Sequence, residues 1–199
     1  MQKNINRENI DIMTSFFRRL ERLGTKDKDV YFITADHGAW ALSQFRKNLK
    51  NQFMNIGISE QNMISVAAGL SNENFNVLTT TFSPFQTLRC LEQIKINLGY
   101  MKFKVTMVGL ASGVSLGTLG YTHCSVEDIS VIYTIPHINI ISPADGLETY
   151  KAVLACLECK ESSYIRLTGS APNPKVYEDD YIFEIGKSKI IRDYGGDYC

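Results

Sequence analysis

The sequence is short of the residues that build metal and redox centres. Histidine occurs three times, at His37, His123 and His137, too widely separated to suggest a zinc site. The five cysteines, Cys90, Cys124, Cys156, Cys159 and Cys199, are an odd number without small-scaffold spacing, which points to free thiols. Cys156 and Cys159 form a C-x-x-C pair, but it falls in a helical pattern over Tyr150 to Lys160 and has no second ligand pair. Excess charge of either sign is also missing: Lys plus Arg and Asp plus Glu both number 21. The densest basic cluster is Arg18, Arg19 and Arg22, which argues against nucleic acid as a partner. No run approaches the roughly 18 apolar residues of a membrane span. The opening stretch, Met1 to Glu8, has no apolar core for a signal peptide, so a cytoplasmic location and no membrane contact are expected. Neither the G-x-x-x-x-G-K-[ST] nor the G-x-G-x-x-G phosphate loop occurs.

What is present is a core-forming chain of 199 residues, 44% of them hydrophobic, enough for one domain and a fragment of another. Asn9 to Leu23 has helical spacing through Ile10, Met13, Phe16, Phe17 and Leu20, with Gly24 as the expected stop. Short β-rich runs follow at Val30 to Thr34, Phe53 to Ile58, Val77 to Thr81, Val105 to Leu110, Ile138 to Ile141 and Tyr164 to Leu167. Between them lie helical patterns at Ala39 to Leu49, Ser59 to Leu70, Phe82 to Leu98, Val126 to Tyr133 and Ala144 to Lys160. This alternation predicts a three-layer α/β/α fold with a mainly parallel sheet. After Gly169 the character changes. A main domain over 1–170, a linker over 171–182 and the truncated start of a further domain over 183–199 are expected, with Phe183 to Ile191 as its first strand.

Polar residues stand where strands hand over to loops, the place where open α/β sheets bind ligands. Asp36 and His37 follow the first run, and Glu60 follows the second. The Gly-rich stretch Ala111 to Ser125, which holds His123, follows the fourth and is the longest irregular segment. Two readings of Glu60 are open. Ser59 is a good N-cap and a first-turn carboxylate complements the helix dipole without any chemistry; alternatively Glu60 contacts a ligand. Phe82 and Phe85 are equally consistent with a core stripe one helical turn apart.

Four stretches in order carry a resemblance that decides between these readings. Asn55-Ile56-Gly57-Ile58-Ser59-Glu60-Gln61-Asn62 with Ala67-Ala68-Gly69-Leu70, then Thr81-Phe82-Ser83-Pro84-Phe85, then Gly120-Tyr121-Thr122-His123, and Ser142-Pro143-Ala144-Asp145 resemble the pyrimidine-binding domain of transketolase-like thiamin diphosphate enzymes over about residues 8 to 170. The resemblance makes 1–170 the pyrimidine-binding domain and 183–199 the start of the family's C-terminal domain. It implies that Glu60 hydrogen-bonds the cofactor's aminopyrimidine and favours the imino form that deprotonates the thiazolium. It also implies a pyrimidine packed on Phe85 with Phe82 beside it, and Asp36 in the cofactor and subunit-contact region. His123 would be in the substrate channel, catalytic or bonded to a sugar oxygen. The chain departs from the family pattern at Leu119, where an acidic residue is usual, at Ala111, where a histidine is usual, and at Gly169, where a phosphate-contacting arginine is usual. Arg166 is the nearby substitute for that arginine.

The family's Gly-Asp-Gly motif and downstream Asn, which hold the bridging metal, are missing. The resemblance therefore implies a split transketolase. This chain would act with a separate diphosphate-binding subunit that holds most of the magnesium or calcium, in a homodimer or heterotetramer that moves a two-carbon ketol unit between sugars or sugar phosphates. Deoxyxylulose-phosphate synthase-like and 2-oxoacid dehydrogenase β-like subunits are enzyme alternatives. A non-catalytic binding or assembly module of the same fold is the alternative of another class.

Overall fold

The alternation of β-rich and helical segments closes into one sheet. The computed structural model describes residues 12–37, 41–169, 175–177 and 181–191. Its elements are α1 (Ile12–Lys26), β1 (Val30–Thr34), α2 (Ala41–Asn48), β2 (Phe53–Asn55), α3 (Glu60–Asn72), β3 (Asn76–Phe82), α4 (Ser83–Gln86), α5 (Leu91–Gln93), β4 (Val105–Ser112), α6 (Asp128–Tyr133), β5 (Ile138–Ile141), α7 (Gly146–Glu158) and β6 (Ser162–Thr168). The strands lie in the order β2-β1-β3-β4-β6-β5, and every neighbouring pair is parallel. Among the described residues no helix is long and apolar enough to cross a membrane.

Successive side chains of a strand point to opposite faces, so each strand feeds two cores. Phe32, Leu78, Val108 and Ile165 pack with Ile12, Phe16 and Leu20 of α1, Phe45 of α2 and Val153 of α7. Their chain neighbours Ile33, Val77, Met107 and Tyr164 pack on the other face with Met63, Ile64 and Ala67 of α3, Ile94, Leu98 and Ile132. Helices thus cover both faces, giving the expected three layers. A side chain such as Phe16 or Met107, fully buried, contributes about 1.5–3 kcal/mol of hydrophobic stabilisation. The order of the strands reverses between β1 and β3, and a crevice opens at the carboxyl ends of strands at such a switch point.

Three elements differ from the sequence reading. Helix α1 runs past Gly24, which is a packing site and not a stop: a Cβ there would lie 2.6 Å from a methyl of Leu49 and 3.1 Å from the Phe32 ring. The helix expected over Phe82 to Leu98 is broken into α4, a 3-10 turn at Leu88–Cys90, α5 and a π-helical turn at Ile94–Tyr100. The Thr87 hydroxyl bonds the Ser83 carbonyl and the Cys90 thiol bonds the Phe85 carbonyl, so side chains compete with the helical ladder. No strand forms over residues 181–191; Ile182 and Ile190 are exposed, and among the described residues no neighbouring strand pairs with them. The start of the first expected helix and parts of the expected linker and terminal segment lie outside the described residues.

Asp145 explains why the segment beyond the sheet stays attached. Its carboxylate caps α7, accepting from the Glu148 N–H at 2.9 Å, and its other oxygen accepts from the N–H groups of Val176 and Tyr177, both at 3.0 Å. Tyr177 and Tyr181 then donate to the Glu148 carboxylate. Replacing buried Asp145 by Ala is expected to cost about 1–3 kcal/mol. Urea unfolding and the rate of tryptic cleavage at Lys175 check this; an unchanged midpoint with unchanged cleavage would contradict the anchoring role.

Candidate functional site

Glu60 is placed by a short sequence of backbone constraints. After β2, the Ile56 N–H bonds the Thr34 carbonyl, and Gly57, at φ +74°, turns the chain. This left-handed conformation suits a residue without Cβ. Ser59 enters α3 without a side-chain cap; its hydroxyl bonds the Ile56 carbonyl instead. Glu60 opens the helix and is 3% exposed. It is therefore not a solvated capping acid. Its Oε1 accepts from Arg89 Nη1 at 2.6 Å. A buried carboxylate needs such a partner, because desolvation of an unpaired charge costs several kcal/mol.

Arg89 is the residue that sequence reasoning missed. It lies on the 3-10 turn after α4, and its guanidinium stacks over the Phe85 ring with the central carbon 3.9 Å from the ring centroid. The pocket around Glu60 is thus not purely apolar. Arginine in a segment with apolar neighbours was the available signal, but only the break in the expected helix turns it toward Glu60. Cys90, next along, is fully buried, and burial together with the Glu60 charge pushes its thiol up to about 12. It is no nucleophile at neutral pH.

The aromatic residues converge on the same place. The His123 ring meets Phe85 at 5.2 Å and Phe82 at 5.9 Å between centroids, edge-on to both, and the two phenyl rings are 6.2 Å apart. Such edge-to-face contacts are favourable between rings of opposed edge and face charge. Glu60, Arg89, Phe85, His123 and Phe82 therefore form one continuous run of contacts at the carboxyl edge of the sheet. His123 sits on a 3-10 turn, Tyr121–His123, with Nδ1 3.1 Å from the Thr122 hydroxyl. Its loop is more ordered than the Gly-rich composition suggests: Gly113 and Ser125 exchange two backbone hydrogen bonds, at 2.9 and 2.8 Å, that close its base.

Asp36 joins the Glu60 side of the site through Asn55. The Asn55 amide donates to the Asp36 carboxylate at 3.0 Å, and the Asn55 side-chain oxygen accepts from the N–H groups of Asp36 and Gly57. Asp36 is exposed and takes φ +46°, a conformation that aspartate tolerates better than most residues. Arg166 is placed differently from the other candidates. Its Nε and Nη2 bond Asp128 at 3.0 and 3.3 Å, so its guanidinium is held by a buried carboxylate and not by the Glu60 and His123 cluster. The three departures gather on the His123 loop: Ala111 precedes it at φ +55°, Leu119 is exposed on it, and the Gly169 N–H donates to the Ser115 hydroxyl at 2.9 Å.

His37 is a second group to which the sequence reading gave no role. It is 5% exposed, with its ring 6.1 Å from Phe82. Burial lowers its pKa to about 4, against the raising effects of a bond to the Thr80 backbone and of Asp36. Nε2 of His37 and the hydroxyls of Thr34 and Thr80 have no hydrogen-bond partner among the described residues. Because the folded chain disfavours the proton that the unfolded chain binds at about 6.5, stability is full above that pH and declines as pH falls toward 4. The loss is on the order of 3 kcal/mol if the whole shift is realised. Chemical denaturation between pH 6.5 and 5 is expected to show this slope and His37→Gln to flatten it; parallel slopes for both proteins would refute the assignment.

Comparison with known proteins shows the family and the fold. A family model described as transketolase, pyrimidine binding domain, matches residues 8–173. An apulose-4-phosphate transketolase subunit of Phocaeicola vulgatus is 38% identical over 181 residues, covering 90% of this chain and 58% of that protein. The putative transketolase C-terminal section of Methanocaldococcus jannaschii is 33% identical over 177 residues, covering 87% of this chain and 56% of that protein. A solved split-gene transketolase, described as an inactive beta4 tetramer, superposes with a TM-score of 0.82 at 29% identity, over 92% of this chain and 59% of that one. The chain thus spans somewhat over half the length of these relatives.

Proposed function

The chain belongs to the transketolase pyrimidine-binding domain family, and on that premise we propose that it is one subunit of a two-chain, thiamin diphosphate-dependent transketolase. In this reading it transfers a two-carbon ketol unit between sugars or sugar phosphates, with a second subunit holding the diphosphate and its metal. The observation that carries the proposal is the convergence of a 3% exposed carboxylate, Glu60, with Phe82, Phe85 and His123 at one edge of the sheet. The similarity to proteins described as a transketolase subunit and as a transketolase C-terminal section supports a partner chain. Among the described residues no group of His, Cys, Asp or Glu is arranged to hold a metal, and the metal is assigned to that partner.

The residues suit a flat heterocycle with ring nitrogens. Glu60 would hold a ring nitrogen through the carboxylate oxygen that Arg89 does not occupy. Phe85 and Phe82 supply apolar ring surfaces that hold such a ring flat and exclude water. Thiamin diphosphate, when bound, supplies the nucleophilic carbon and the electron sink that let a bond beside a carbonyl break. His123 is assigned to the sugar, where an imidazole donates to or accepts from a hydroxyl near neutral pH. Asp36, held by Asn55, is assigned to the cofactor and subunit-contact edge. Arg166, oriented by Asp128 through Nε and Nη2, is assigned to the substrate side as the substitute for the family's arginine. The segment beyond residue 182 is assigned to the start of a further domain.

Calorimetry with thiamin diphosphate and magnesium tests the reading directly. Binding is expected when the diphosphate-binding subunit is present and negligible for this chain alone. In the reconstituted enzyme, Glu60→Gln is expected to lower kcat by about 10²- to 10⁴-fold, the usual worth of a positioned proton-transfer group. Absence of binding in both titrations would favour a non-catalytic assembly module, and full activity of the Gln variant would remove Glu60 from the chemistry.

A further inference from the structure

We propose that Asp128 is a positioning residue for His123, acting through Ser83 and Ser125. Asp128 is fully buried at the start of α6. Its Oδ2 accepts from the Tyr164 hydroxyl at 2.8 Å, from Ser83 Oγ at 3.2 Å and from Arg166 Nε at 3.0 Å, while Oδ1 accepts from Arg166 Nη2 at 3.3 Å. Ser83 Oγ also lies 3.1 Å from Ser125 Oγ and 2.5 Å from the Tyr164 hydroxyl. Each hydroxyl has one proton to give. Tyr164 gives its proton to Asp128, and the one proton of Ser83 is directed between the carboxylate and Ser125 Oγ, both of which accept from it. The carboxylate therefore orients the whole relay.

The relay ends at the two points from which the site's rings are hung. Ser83 follows Phe82 directly and opens α4, on which Phe85 lies. Ser125 is fully buried and forms one side of the bridge that pinches the base of the His123 loop. The His123 side chain hydrogen-bonds only its neighbour Thr122 among the described residues, so its place against Phe82 and Phe85 follows from the loop's base. Gly109 of β4 makes room for the cluster: a Cβ there would lie 2.6 Å from the Tyr164 hydroxyl and 3.0 Å from Ser83 Oγ. If Asp128 served only to neutralise Arg166, the tie to Ser125 would have no consequence for the loop, and this separates the two roles experimentally.

The loop's position is read without any assay. Aromatic rings shift the resonances of protons held against them, so the ring signals of His123 report its contacts with Phe82 and Phe85. His137, beside Glu161 at 3.5 Å, serves as control. Ser125→Ala, which leaves the Asp128 and Arg166 pair intact, and Asp128→Asn are both expected to move the His123 signals toward those of a solvated imidazole, leaving His137 unchanged. Ser125→Thr, which keeps the hydroxyl, is expected to restore them. His123 signals unmoved in folded Ser125→Ala would overturn the proposal, and this variant decides alone if Asp128→Asn does not fold. The activity arm rests on the transketolase reading: with the diphosphate-binding subunit, kcat/KM for the sugar is expected to fall about 10- to 100-fold through misplacement of a contact group. Cofactor affinity is expected to stay within about twofold, as for a loss confined to substrate contacts. Moved His123 signals in a chain that no partner activates would uphold the positioning and defeat the transketolase reading instead.

Discussion

The parallel pairing of the six described strands governs where every candidate side chain ends up. Because every strand runs the same way, every junction from strand to helix leaves by one edge. Asp36 and His37 after β1, Glu60 after β2, Phe82 and Ser83 at β3 and the His123 loop after β4 therefore meet without any long excursion of the chain. Parallel strands also require crossovers that cover both faces. The same helices that bury the sheet aim their N-terminal turns at the shared edge, and α3 carries Glu60 there in its first turn.

Buried polar groups at that edge impose a second requirement. Glu60, Asp128 and Asp145 are all buried, and each has donors that satisfy it: Arg89 for Glu60, Arg166 with two hydroxyls for Asp128, and three backbone N–H groups for Asp145. A buried carboxylate without such donors would be too costly to keep. These pairings do more than balance charge. Glu60 with Arg89 joins α3 to the broken helix after β3, Asp128 joins α4 to β6 and, through Ser83, meets Ser125 at the base of the His123 loop, and Asp145 joins α7 to the segment beyond the sheet. Each therefore fixes the relation between pieces of chain that no hydrophobic contact alone would set to within an ångström.

Much of the fold was legible because hydrophobic periodicity is a local property. The strand over Val30 to Thr34 and the helix beginning at Glu60 follow from alternation and spacing, and the structure has both. Elements were misread where side chains compete with the backbone or where tertiary contact overrides a local signal. Thr87 and Cys90 break the helix after Phe85, and Gly24 looks like a stop until Leu49 is seen to occupy the space of its missing Cβ. The run from Phe183 to Ile191 alternates like a strand, yet alternation alone cannot supply the neighbouring edge that a strand needs.

The order of the motifs along the chain carried the resemblance to the family, and that resemblance put Glu60, Phe82, Phe85 and His123 in one candidate set. What these residues touch was settled only in three dimensions. Folding placed Arg89 between Glu60 and Phe85, withdrew Arg166 into a pair with Asp128, and tied Asp36 to Asn55. The physical reason is that a hydrogen bond or ion pair is fixed by the meeting of two distant segments within about 3 Å. No property of either segment read alone contains that distance.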